Sequence, residues 1–259
     1  MSTNGSGNGH DPDEKKIVKF PTLGERDRMR REERKAEKAA QKAYKKANTE
    51  PFFNFGRIPP FAKALFIAFT LAHLPLHLIL GDAQRLQAFY YFGFVPGAFT
   101  GTFDWHWGAI ISPITHAFIH GSWMHFIFNA VLGLALSIFF ERMFGSKATA
   151  IFFAACTLGG AALYFAFAPF TTTPVIGASG GISGLFGALI YITITQNTHH
   201  PITQRFGKRG PWPVLVVWGL IIVVPGLLMG GALAWQAHLG GYITGLALLV
   251  AMQKGKIKL

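Results

Sequence analysis

The stretch SKATAIFFAACTLGGAALYFAFAPFTTTPVIGASGGISGLFGALIYITITQ, residues 146–196, decides the fold. It holds two long apolar runs, about 148–169 and 177–196, separated by a short break. A helix needs about 20 apolar residues to cross a bilayer, and each run has that length. The same alternation continues in both directions from Pro59 onward. Four further runs, about 61–80, 121–141, 212–230 and 233–252, bring the expected spans to six. Residues 82–120 differ. They carry Trp105, Trp107 and several Phe and Tyr among scattered Gly and Pro. This segment is too broken for a span and too apolar for water, so it is expected to lie at the membrane interface.

Composition leads to the same class. Of the 259 residues, 51% are apolar and only 14% charged, whereas a soluble domain carries about a quarter. Residues 1–57 hold 14 of the 24 Lys and Arg and 9 of the 12 acids. The rest of the chain has only three carboxylates, Asp82, Asp104 and Glu141. Two parts are therefore expected: a basic cytoplasmic tail, 1–57, disordered over 1–14 with a charged helix over 22–49, and a six-helix membrane domain, 58–259. The net charge of +12 sits beside apolar spans, which favours anionic headgroups over nucleic acid as its partner. No apolar signal region follows Lys15, so the first span is expected to act as its own targeting signal. The single cysteine, Cys156, excludes an intrachain disulfide.

Lys and Arg also give an orientation. Arg142 and Lys147 lie between spans two and three. Arg205, Lys208 and Arg209 lie between spans four and five, and Lys254, Lys256 and Lys258 follow span six. With six spans these groups share one side with the basic tail, which places both termini in the cytoplasm.

Polar groups inside spans are costly and each needs an account. His125 and Asn129 lie in span two, Gly177-Ala178-Ser179-Gly180 opens span four, and His238 lies in span six. A rise of 1.5 Å per residue puts His125 about 24 Å, Ser179 about 27 Å and His238 about 24 Å above the cytoplasmic ends of their helices. Asn129 sits one turn below His125 on the same face. Gly180 with Gly184, and Gly241 with Gly245, form small-xxx-small faces that let helix backbones approach closely in lipid. Close packing of spans four and six can bring the Ser179 hydroxyl to the His238 imidazole, the base a serine needs to become a nucleophile. Spans two to six contain one carboxylate, Glu141, at the opposite membrane face, so a Ser–His dyad is expected rather than a triad. At this level the oxyanion donors available are His125, Asn129 and the Ser179 backbone N–H. Taken singly, each feature has a plainer reading: a glycine face for packing, or a histidine or asparagine bonding between helices. His116 and His120 are expected to face the outer interface. His73 and His77, four apart in span one, have the spacing of metal ligands but no acid or cysteine beside them, and no metal or other cofactor is expected.

From His116 to Ala247 the sequence resembles the rhomboid intramembrane proteases. HGSWMHFIFN (120–129) resembles the family's His-xxx-Asn motif, and FFERMFGS (139–146) its acidic turn. GASGGISG (177–184) resembles its GxSG, and AHLGGYITG (237–245) its histidine followed by GxxxG. The resemblance implies an all-α six-helix bundle with an outer interfacial loop between the first two spans. It further implies Ser179 as nucleophile, His238 as base, and His125 and Asn129 around the oxyanion. The implied reaction is hydrolysis of transmembrane protein substrates near the outer face. The implied location is a bacterial inner membrane, multi-pass. Two positions depart from the family: Ile111-Ser112 stand where a Trp-Arg pair is common, and Ser183 stands where some members carry a tyrosine. The rival readings are a catalytically silent rhomboid-like binder of membrane clients and a small transporter. The silent reading would be marked by loss of Ser179 or His238, and both are present. A transporter would show internal repeats and mid-membrane polar sites, and the sequence has neither.

Overall fold

The computed structural model describes residues 22–48, 58–196 and 234–255, with the single positions 216, 220 and 257. Its contacts divide the chain into two units, Met1–Gly56 and Arg57–Leu259. In the first unit, α1 spans Leu23–Asn48. Its first turn is capped reciprocally: the Glu25 amide donates to the Thr22 hydroxyl, and the Thr22 amide and hydroxyl donate to the Glu25 carboxylate. The tail's residues 1–14 lie outside the described residues.

The regular elements of the second unit's described residues are all helices, joined by irregular stretches and one isolated bridge between Phe94 and Val175. Helix α2 runs Pro60–Leu78. Three short helices follow: α3 Asp82–Phe92, α4 Gly97–Thr100 and α5 Gly108–Thr115. A 3-10 turn, His116–Phe118, leads to α6 Trp123–Phe144, α7 Ser146–Phe167, α8 Ser179–Gln196 and α9 Trp235–Gln253. Proline at the first position of α2 suits a helix start, where its missing N–H has no intrahelical role. Ser122 caps α6, its hydroxyl accepting from the His125 amide at 3.2 Å. Gly145, at φ +82°, ends α6 and turns the chain directly into α7.

Helices α2, α6 and α7 are each long and apolar enough to cross a membrane. Helix α8 is a shorter apolar helix, and α9 carries Gln236, His238, Gly240 and Gly241 in its first half. The run expected as a fifth span, 212–230, lies outside the described residues apart from the single positions 216 and 220. The stretch 82–120 resolves into the short helices α3 to α5 and the 3-10 turn, each too short to cross a bilayer.

Large apolar side chains point outward along α6, among them Met124, Ile127, Phe128, Val131, Leu132 and Phe139. In water such a surface would drive association; against lipid it is matched to its solvent. The core is aromatic. Phe140 packs on Phe152 with ring centroids 4.5 Å apart, and Phe69, Leu185 and Leu249 are fully buried around them. Helix α9 packs against both α7 and α8, and α2 packs on α6.

The one acid of the helical core is fully committed. Glu141, 5% exposed, accepts from the backbone amides of Phe61 and Ala62, each at 2.8 Å. It also accepts from the Ser146 hydroxyl. One carboxylate thus satisfies two orphan donors at the start of α2 and pins them to the α6–α7 turn. Glu141→Ala strands both donors. Each buried unsatisfied amide costs about 1–3 kcal/mol, so we expect a loss of roughly 2–5 kcal/mol. Thermal unfolding in detergent checks this, and an unchanged midpoint would refute the assigned role.

Candidate active site

Ser179 is the first residue of α8 and His238 lies in the first turn of α9. Their side chains meet: Ser179 Oγ is 2.7 Å from His238 Nε2. The hydroxyl donates in this bond when Nε2 carries no proton. A serine held this way has a base within proton-transfer reach.

The meeting depends on backbone proximity. A Cβ at Gly241 would fall on the carbonyl oxygen of Gly180, and one at Gly245 on the carbonyl of Gly184. At Gly184 it would strike the Cys156 thiol and stand 2.8 Å from the Gly241 carbonyl. At Gly180 it would stand 3.2 Å from the carbonyl of Ala237, the residue just before His238. Helix α7 joins the same contact, since a Cβ at Gly160 would stand 2.6 Å from the Ala237 carbonyl. Three helices therefore share one glycine-lined seam below the Ser179–His238 pair. In the sequence the GxxxG spacing marks faces on α8 and α9; α7 has no such pair, although Gly159-Gly160 is a signal for it.

The segment before Ser179 is fixed by backbone bonds. Phe94 and Val175 exchange two hydrogen bonds, each 2.9 Å. The Gly97 amide donates to the Thr171 carbonyl at 2.8 Å, and the Thr102 hydroxyl donates to the Phe170 carbonyl at 3.1 Å. The Gly177 amide donates to the His116 carbonyl at 2.8 Å. Residues 94–102 and the 3-10 turn thus hold 170–177 in place. Gly177 is at φ +110°, a conformation that L side chains rarely adopt. A Cβ there would stand 2.5 Å from His125 Nε2. The helix accordingly begins at Ser179 rather than at Gly177, and the missing side chain leaves the His125 imidazole beside the serine's loop. Asn129, 5% exposed, donates from Nδ2 to the His125 carbonyl at 2.8 Å. This bond uses one of its two amide hydrogens.

His116 and His120 do not face the interface as expected. Both are buried, at 2% and 0% exposure. His116 Nδ1 lies 2.9 Å from the Ser112 carbonyl, so this residue anchors the loop through both ring and carbonyl. Burial pushes the His116 imidazole down to about 4. Burial, with His125 as the next contributor, pushes His120 down to about 3. Both are therefore neutral near pH 7 and pack as aromatic rings. The cause is local: the 3-10 turn folds the chain inward before α6, which sequence spacing alone does not reveal. His73 and His77 meet at a tilt with centroids 4.1 Å apart, and His73 stacks on Phe126 at 4.3 Å. His77 Nε2 lies 3.0 Å from the His120 carbonyl. Among the described residues, no group of three or more His, Cys, Asp or Glu side chains is arranged to hold a metal ion.

Comparison with known proteins agrees with this architecture. The chain is similar to the rhomboid protease GluP of Bacillus subtilis (strain 168), with 29% identity over 132 residues, 51% of this chain and 24% of the relative. It thus spans about a quarter of the length of the curated relative it matches. The model of the Rhomboid domain matches residues 108–254, more than half of the chain and all of α5 to α9. The chain, a multi-pass helical membrane protein, belongs to the rhomboid family.

Proposed function

We propose that this protein is an intramembrane serine endopeptidase acting through Ser179 and His238. The observation that carries this reading is the 2.7 Å contact between Ser179 Oγ and His238 Nε2. In the proposed reaction Oγ attacks a peptide carbonyl while His238 takes its proton. The tetrahedral oxyanion forms beside the Ser179 backbone N–H, the His125 ring and the second amide hydrogen of Asn129. The imidazolium then returns the proton to the leaving amine. Water, activated by the same imidazole, releases the acyl group. Glu141 accepts three hydrogen bonds at the α2 and α6–α7 junction, which supports a dyad without an orienting carboxylate.

The proposed topology has six spans, with both termini in the cytoplasm of a bacterial inner membrane. Helices α8 and α9 both begin at the serine–histidine contact and run side by side in the same direction, as the Gly180–Gly241 and Gly184–Gly245 pairs require. Their starts share one face, so a return crossing between Gln196 and Ala234 is needed. The apolar run 212–230 has the length for it. In this arrangement the membrane domain is 58–259 and the dyad lies near the outer face. Substrates are then transmembrane proteins whose span unwinds at that level, since a carbonyl in a regular helix is bonded and shielded.

Ser179→Ala is expected to lower cleavage of a single-span model substrate by roughly a thousandfold or more. Helicity and elution volume should be unchanged, and undiminished proteolysis by the purified variant would remove Ser179 from the mechanism. Gly177→Ala is expected to cut turnover by roughly a hundredfold, because the added methyl displaces His125 from the nucleophile loop. Normal turnover in a correctly folded Gly177→Ala protein would show that His125 has no part in the reaction.

A further inference from the structure

A second recess lies away from the dyad, in the interfacial segment. It is an open recess of about 440 Å³ between α3 and the stretch that follows α4. Its walls are mostly aromatic: Tyr90 and Tyr91 from one side, Phe103 and Trp105 from the other. Gln87 and Asp104 are the polar groups used below. The rings are fixed in orientation by their neighbours. Tyr90 is stacked on Phe103 with centroids 5.3 Å apart and planes 13° apart. Tyr91 is stacked on His106 at 5.2 Å, and Trp105 meets Trp107 edge-on at 5.0 Å.

Asp104 is the unusual member. The second unit has three carboxylates in all. Glu141 is consumed by backbone amides, and Asp82 pairs with Arg85. Asp104 makes no ion pair with any described residue. A carboxylate beside several aromatic faces is complementary to an ammonium group: the rings attract the cation through their quadrupoles and the acid supplies the opposite charge. An anion is disfavoured there by the same groups.

The depth identifies the source of that ammonium. Trp105 is 53% exposed and Trp107 is 73% exposed. Exposed tryptophans next to apolar spans sit at the headgroup level, so a zwitterionic headgroup meets this recess by diffusion in the plane of the membrane. We propose that the Tyr90–Tyr91–Phe103–Asp104–Trp105 recess binds the ammonium of an aminophospholipid headgroup. The Gln87 amide and the Trp105 indole N–H are the donors available for its phosphate. This site is separate from the serine–histidine pair, and its occupancy is measurable whether or not the protein cleaves anything.

The test is native mass spectrometry of the full chain released from detergent. The protein is equilibrated with equal amounts of phosphatidylethanolamine and phosphatidylglycerol bearing the same acyl chains. One phosphatidylethanolamine should be retained in preference by about threefold, the scale of one solvent-exposed cation–aromatic contact. Asp104→Asn should bring the ratio near parity while circular dichroism and elution stay unchanged. Acetylating the lipid amine should do the same with the wild-type protein. Tyr90→Ala should weaken retention as well, and Asp104→Asn alone carries the test if that variant does not fold. Parity in the wild type, or a preference indifferent to both Asp104→Asn and amine acetylation, would overturn the proposal. Displacement of the lipid by a lysine-bearing single-span peptide, lost in Asp104→Asn, would assign the recess to protein recognition and equally overturn it.

Discussion

The arrangement depends on one contact, the direct approach of two helix backbones at Gly180–Gly241 and Gly184–Gly245. In lipid there is little hydrophobic drive between helices, so association rests on close van der Waals contact and interhelical hydrogen bonds. A side chain at Gly241 would occupy the space of the Gly180 carbonyl. Without it, the two helices run parallel in a single register. That register brings the start of α8 to the start of α9, where the Ser179 hydroxyl and the His238 imidazole are within hydrogen-bond distance. Gly160 of α7 packs into the same seam, so the position of His238 is fixed from two sides.

The remaining polar groups serve to hold this seam in a frame. At one end Glu141 joins α2 to the α6–α7 turn by accepting backbone amides that would otherwise be buried without partners. At the other end the segment between α2 and α6 bonds to residues 170–177 through Phe94, Gly97 and Thr102. The His116 carbonyl holds Gly177. The chain leading to Ser179 is thus irregular but well bonded. Within a membrane, irregular backbone is tolerated only where protein supplies its partners.

Local patterns were legible in the sequence, and contacts between distant segments were legible only in part. The spacing of Gly180 and Gly184, and of Gly241 and Gly245, marks helix faces by period alone. His125 and Asn129, four residues apart, stack by the same rule. The common level of Ser179 and His238 followed from rise per residue and the charged helix ends. The burial of His116 and His120 was not legible. It arises from a 3-10 turn that folds inward, and a histidine near an interface has no spacing that reveals the turn. Glu141 could be separated from the Ser179–His238 pair by its distance along α6, but two of its partners are amides some 80 residues away. Gly177 read as the opening of a helix, whereas its positive φ sets the boundary at Ser179.

The most direct test of the account is reaction of the detergent-purified protein with a serine-directed fluorophosphonate, followed by peptide mapping. Only a serine activated by a neighbouring base should react appreciably. The account predicts one modified residue, Ser179, with the modification lost in a folded His238→Ala protein. Absence of labelling in the folded wild type, or labelling at Ser179 that persists undiminished without His238, would contradict it.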